Sequence, residues 1–130
     1  VKAALHAGFR VCIISGGTNL AVQKRLNDLG IKDVYLGVHD KSTALMEYLY
    51  ENNLKASETL FMGDDIPDIP PMKQVHLATC PNDAVAEVRA ASDYVSHIAG
   101  GKGCVRDVIE QTLKLHGKWG VFFEARNDKK

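Results

Sequence analysis

The sequence predicts a doubly wound, Rossmann-like α/β fold, a parallel sheet inside a three-layer α/β/α sandwich. Three observations carry this. Short apolar runs recur along the 130 residues, segments with helical spacing of apolar residues lie between them, and most of the runs end in glycine- or acid-bearing turns. Strands alternating with crossover helices give a parallel sheet covered on both faces, with ligands beyond the carboxyl ends of the strands.

Each element has its own warrant. Residues 1–7 read as helical. Residues 9–14 (Phe-Arg-Val-Cys-Ile-Ile) form an apolar, β-branched run between Gly8 and Ser15-Gly16-Gly17, which predicts a buried strand. Over residues 19–29, Leu20, Val22, Leu26 and Leu29 recur at helical spacing, and Gly30 stands where a left-handed C-terminal cap belongs. Residues 34–36 predict a second strand and residues 42–52 a second helix with Ala44, Leu45, Tyr48 and Leu49 on one face. Residues 59–62 predict a third strand, residues 67–75 a stretch broken by prolines, and residues 76–78 a fourth strand. A helix over residues 83–91 with Asp83 as N-cap, a strand at Tyr94 and Val95, and a closing helix over residues 105–116 complete the series. The tail from Lys118 has no firm period. With no internal repeat and no linker, residues 1–130 read as a single domain.

Composition removes several function classes. Hydrophobic residues are 45% and charged residues 25% of the chain, which excludes a disordered or low-complexity protein. Sixteen basic and sixteen acidic residues cancel, so there is no positive field for a nucleic-acid partner. No apolar run nears the roughly 20 residues of a membrane span and no signal-peptide pattern opens the chain, so a soluble, cytoplasmic protein without a membrane partner is expected. Three widely spaced cysteines form no CxxC pair and read as reduced packing residues.

Chemistry is expected in the loops after the strands. Ser15-Gly16-Gly17-Thr18 offers a hydroxyl and exposed backbone N–H groups ahead of a helix, a general anion site or a plain tight turn. His39-Asp40-Lys41-Ser42 puts Lys41 at a helix start, where the dipole disfavours a cation and the position suggests a need for charge. Gly63-Asp64-Asp65-Ile66-Pro67-Asp68 crowds three carboxylates that repel one another unless a divalent cation neutralises them. Hard oxygen ligands suit Mg2+. Gly100-Gly101-Lys102-Gly103 opens the last helix, followed by Arg106, which suits bidentate pairing with a carboxylate or phosphate. Together these are the parts for chemistry on a phosphate ester.

The order of hydroxyl, lysine at a helix start and Gly-Asp-Asp-x-x-Asp resembles motifs two, three and four of the haloacid dehalogenase superfamily. More closely, Ser15-Gly16-Gly17, Arg25, Leu29-Gly30, Gly37-Val38-His39-Asp40-Lys41, Gly63-Asp64-Asp65-Ile66-Pro67-Asp68 and the segment from Ala99 to Asp107 resemble the capless 3-deoxy-D-manno-octulosonate 8-phosphate phosphatases. The resemblance extends over residues 1–119. It implies a phosphoric monoester hydrolase without a cap domain, dependent on Mg2+, acting on a phosphorylated sugar acid of lipopolysaccharide biosynthesis. It also implies a homotetramer whose active sites are completed across subunits. By the same resemblance Ser15 and the N–H groups near Gly16 hold the phosphoryl oxygens and Lys41 neutralises the phosphate. Asp64 ligates Mg2+, Asp65 is a second ligand or outer partner, Asp68 orients Lys41 or the loop, and Arg106 meets the sugar-acid carboxylate.

One departure stands out. The superfamily's first motif, Asp-x-Asp, supplies the nucleophile and the general acid/base, and no Asp-x-Asp occurs in the 130 residues. The expectation is that this motif and a central strand precede Val1, and that without them the strand at Phe9 is separated from the strand at Thr59. A nonulosonate 9-phosphate phosphatase remains an alternative within the class. A non-catalytic assembly domain, like the one attached to some sialic acid cytidylyltransferases, is the alternative outside it. A two-component receiver domain is excluded by order, because Lys41 precedes Asp64-Asp65.

Overall fold

The computed structural model describes residues 2–115. Along them run α1 (Lys2–His6), β1 (Cys12–Ile14), α2 (Leu20–Asp28), β2 (Asp33–Tyr35), α3 (Lys41–Glu51), β3 (Leu60–Met62), α4 (Ile69–Met72), β4 (Leu77–Cys80), α5 (Ala86–Ala91), β5 (Tyr94–Val95) and α6 (Cys104–Leu115). Single 3-10 turns at Ala56–Glu58 and Ile66–Asp68 precede β3 and α4. Val1, His116 and the tail from Lys118 lie outside the described residues.

Every strand pair is parallel, as helical crossovers require. The strands form two ladders, β2 beside β1 and β3-β4-β5, so the strand after Phe9 and the strand after Thr59 do not pair. Ile13 stands opposite Val34, Phe61 opposite Ala78 and Thr79 opposite Tyr94. One helix spans the two ladders. Leu45, Tyr48 and Leu49 on the buried face of α3 pack against Cys12 and Ile14 of β1 and against Phe61 of β3. A second cluster of Met72, Ala78, Cys80, Ala84 and Val88 joins α4, β4 and α5, again with Phe61. Phe61 therefore belongs to both cores.

At the amino end of β1, Arg10 and Tyr48 fasten α3 in place. Tyr48 Oη donates to Asp33 Oδ2 at 2.7 Å and Arg10 Nη2 donates to Asn52 Oδ1 at 2.8 Å. Burial, then the bond to Asp33, pushes the Tyr48 hydroxyl up to about 12, and burial pushes the Cys12 thiol up to about 12. Cys12 is thus no thiolate nucleophile at neutral pH, and Cys80 and Cys104 are buried.

The element order agrees with the sequence, and the differences have physical causes. The helix expected over residues 83–91 begins only at Ala86, because Asp83 does not cap it: its Oδ1 accepts the Gly100 N–H at 2.8 Å. The proline-bearing stretch is helical over Ile66–Met72, since Pro67, Pro70 and Pro71 fall where the missing N–H is no loss. The apolar face of α2 is not buried, with Leu20 73% exposed. The cap at Gly30 is as read, with φ +94° after Leu29. No helix among the described residues is long and apolar enough to cross a membrane.

Candidate active site

Three of the four chemical loops meet at the carboxyl ends of the strands. The loop after β1 is stitched to the loop after β2, where Gly37 N–H donates to the Gly17 carbonyl at 2.8 Å and Val38 N–H to the Ser15 carbonyl at 2.9 Å. Ser15 Oγ accepts the Gly17 N–H at 3.1 Å, which leaves the hydroxyl proton free to point outward. Gly16 N–H has no acceptor among the described residues, and both Gly16 and Gly17 are exposed.

Lys41 is the first residue of α3. The N-cap Asp40 offsets its unfavourable place on the helix dipole, with Oδ1 accepting the Thr43 N–H at 3.0 Å and Oδ2 the Thr43 hydroxyl at 2.8 Å. Lys41 Nζ then reaches the loop after β3 and donates to Asp68 Oδ1 at 2.6 Å. The side chains are 19% and 4% exposed, a largely dehydrated pair. Asp68 Oδ2 also accepts the N–H groups of Asp64 (2.9 Å) and Asp65 (3.2 Å). Burial pushes the Asp68 carboxyl up, but Lys41 and the two backbone donors outweigh it and hold the group below the ordinary carboxylate range.

Asp64 and Asp65 are left on the exposed side of the loop. What burial the Asp64 carboxyl has, followed by the neighbouring Asp68, pushes it above its ordinary value against the pull of Lys41. Asp65 Oδ1 accepts the Ile66 N–H at 2.8 Å and caps the 3-10 turn. Among the described residues no group of three or more potential ligands gathers at one point. The donor set for a cation is therefore the Asp64–Asp65 pair, with Asp68 committed to Lys41.

Arg106 is not part of this cluster. Cys104, which opens α6, touches Met62 at the end of β3 (Sγ–Sδ 4.0 Å), and residues two apart in a helix point to nearly opposite sides. Arg106 consequently lines a separate cavity with His97, Lys102 and Asp107.

Two features were not read from the sequence. Gly63 packs so closely under Asp68 that a side chain has no room there, and a glycine directly before an acidic loop is the signal that was available. Ser42 Oγ donates to Gln74 Oε1 at 2.7 Å, a second bond between the α3 start and the segment after β3, and nothing in the sequence marks it.

The chain matches no model of a known protein family. It is 32% identical over 126 residues to the 3-deoxy-D-manno-octulosonate 8-phosphate phosphatase KdsC of Haemophilus influenzae, covering 97% of this chain and 70% of that protein. The chain belongs to the KdsC phosphatase family. The family lies within the haloacid dehalogenase superfamily, and the corresponding enzyme of Salmonella typhi is 35% identical over 118 residues, 91% of this chain. The chain spans 63% of the length of that KdsC relative. The crystal structure of the Moraxella catarrhalis enzyme, solved with magnesium ion, phosphate ion and a KDO molecule, superposes with a TM-score of 0.92 at 30% identity. That match covers 95% of this chain and 71% of the Moraxella one. The KdsC likeness establishes the Rossmann-type α/β class expected from the alternation of elements.

Proposed function

We propose that this chain serves the Mg2+-dependent hydrolysis of a sugar-acid phosphate monoester, 3-deoxy-D-manno-octulosonate 8-phosphate, to the free sugar acid and phosphate. The observation that carries the reading is the Lys41–Asp68 pair, a lysine drawn from one strand-end loop and held at 2.6 Å by an acid of another, beside two exposed carboxylates. A surface lysine needs no such anchorage. A dehydrated ammonium aimed by a carboxylate is what a transferring phosphoryl group requires.

Each residue then has a task. An ammonium carries three hydrogens, and with one given to Asp68 two remain for phosphate oxygens. The Ser15 hydroxyl, oriented by the Gly17 N–H, and the unpartnered Gly16 N–H donate to the other oxygens. The cation fits its place: two carboxylates, one of them pushed up by its partial burial and then by its acidic neighbour, are the one or two protein ligands that Mg2+ takes alongside water and phosphate oxygens. Asp64 and Asp65 are the residues that would hold the cation, which would supply positive charge against the phosphoryl oxygens. The aspartyl nucleophile that the family resemblance implies has no counterpart among the 130 residues, so the parts assigned to this chain are those that hold and neutralise the phosphate.

The homotetramer, the role in lipopolysaccharide sugar supply and the cytoplasmic location rest on the same likeness. The tetramer suits Arg106, which turns away from the end of β3 and is read as contacting the sugar carboxylate at a neighbouring subunit's site. The test is phosphate release from 3-deoxy-D-manno-octulosonate 8-phosphate by the naturally produced protein. Lys41→Ala is expected to lower turnover by about 10²–10³-fold with an unchanged circular dichroism spectrum. Wild-type turnover in that variant, or no phosphate release from the parent protein, overturns the reading.

A further inference from the structure

We infer that Ser42 and Gln74 are positioning residues for Lys41: the hydrogen bond between them docks the first turn of α3 onto the segment after β3 and so sets where the Lys41 ammonium stands. Lysine is a compact charge on a flexible stem, so its head group is only as well placed as the backbone it hangs from. Here that backbone is a helix end. The buried residues of α3 are Leu45, Tyr48 and Leu49, so the core grips the helix from its second turn onward and leaves the first turn to polar contacts. Asp40 winds that turn through the Thr43 N–H and hydroxyl, but both bonds are local and dock it to nothing else. Among the described residues, two side-chain bonds run from the turn to another element: Lys41 Nζ to Asp68 Oδ1, and Ser42 Oγ to Gln74 Oε1 at 2.7 Å. The second is the tie that does not use the functional lysine itself.

Gln74 stands on a stiff base. Residues 66–74 carry Pro67, Pro70 and Pro71, whose fixed φ leaves the stretch few conformations. Pro71 and Met72 are buried, and the N–H groups of Lys73 and Gln74 donate to the carbonyls of Ile69 and Pro71 at 3.1 Å each. The same stretch holds Asp68, so one stiff segment offers two acceptors to two neighbouring residues of α3. Consecutive helical residues project about 100° apart around the helix axis. A single bond is a pivot about which the helix start can turn, whereas two bonds diverging by that angle oppose the rotation. With Ser42 held, Lys41 meets Asp68 in one orientation, and the ammonium hydrogens that Asp68 leaves free keep one direction.

That this placement serves phosphate rests on the phosphatase reading above, whereas the placement itself does not. In the full chain the Lys41 ammonium is followed by proton–nitrogen correlation NMR, identified by its absence from Lys41→Ala, and the exchange of its protons with water is measured. Slower exchange than for the exposed lysines is expected in the parent. Ser42→Ala and Gln74→Ala are each expected to speed it by about threefold or more, the scale of one modest hydrogen bond, and the double variant to go no further than either. Ser42→Thr keeps the hydroxyl and is expected to hold the parent rate. Asn52→Ala is the control: it removes the 2.8 Å bond from Arg10 at the other end of α3 and leaves the first turn untouched, so the parent rate is expected there too. A parent ammonium exchanging as fast as the exposed lysines, rates unchanged in Ser42→Ala and Gln74→Ala, or additive effects in the double variant overturn the proposal. So does a Ser42→Thr rate equal to that of Ser42→Ala, or an equal acceleration in Asn52→Ala. Absence of phosphate release from the parent protein overturns the phosphatase reading and leaves this result intact.

Discussion

Gly63 is the residue on which the geometry of the acidic loop depends, and replacing it with alanine tests that geometry directly. A Cβ at Gly63 stands 2.5 Å from Asp68 Cβ, 2.9 Å from Met72 Sδ and 3.0 Å from Asp68 Cγ. Met72 has a flexible side chain and can give way. Asp68 cannot move without cost, since it holds Lys41 at 2.6 Å and two backbone N–H groups, and it is almost wholly buried. Overpacking alone costs about 1–3 kcal/mol, and a full break of a buried charge pair about 3–5 kcal/mol. A partial displacement of Asp68 therefore places Gly63→Ala about 2–4 kcal/mol below the parent, a large share of the roughly 5–15 kcal/mol available to such a domain. With a urea slope of about 2 kcal/mol per molar, the unfolding midpoint falls by about 1–2 M. Gly17→Ala is the control. Its Cβ meets only Ser15 Oγ at an ordinary 3.5 Å, and a change within about 0.5 kcal/mol is expected. If Gly63→Ala unfolds at the same urea concentration as the control, Asp68 is free to shift and the fixed Lys41–Asp68 arrangement is refuted.

Further outcomes follow from the same contacts. Asp64→Asn removes one anion from the Asp64–Asp65 pair at nearly constant volume, so calorimetric titration should show Mg2+ affinity lowered by about tenfold or more; unchanged affinity would make Asp64 a loop residue only. For Asp107, burial pushes the carboxyl up, but Ser96, Tyr94, Gln111 and the charge of His97 hold it below its ordinary value. A depressed folded-state value means stability present above the unfolded carboxyl range near 4 and lost as pH falls through the folded value. Urea midpoints at pH 7, 4 and 3 should therefore fall less steeply in Asp107→Asn than in the parent, and parallel curves would remove Asp107 from the acid response.

The fold was legible wherever periodicity met punctuation. Residues 9–14 and Gly30 identified β1 and the end of α2 because an apolar run and a left-handed glycine each admit few conformations. Lys41, Asp64 and Asp68 were legible as chemistry because a cation at a helix start and adjacent acids are both unfavourable unless something uses them. The resemblance implied that Asp68 orients Lys41 or the loop; that it does both, accepting from Lys41 and from two loop N–H groups, was not legible, since it rests on side-chain reach across two loops. Asp83 was misread because the sequence shows a good capping residue but not a competing N–H 17 positions away at Gly100. The exposure of the apolar side of α2 was not legible, because helical spacing shows which side is apolar and is silent on whether anything covers it.

The division of the strands into two ladders bears on how the site comes apart. β1 and β2 fall within residues 12–35 and β3 to β5 within residues 60–95, so each ladder is a contiguous block of chain that closes on its own short loops. The contacts that make the site are of the other kind. Lys41 to Asp68 spans 27 positions and Ser42 to Gln74 spans 32, and both run from one block to the other. A motion that parts the blocks breaks the Lys41–Asp68 and Ser42–Gln74 contacts while leaving both ladders zipped. The free energy guarding the site is accordingly that of docking the blocks, carried by α3 and Phe61, and it is smaller than that of unfolding the chain. On warming or in mild denaturant, the contacts between the blocks are expected to part before the strands do.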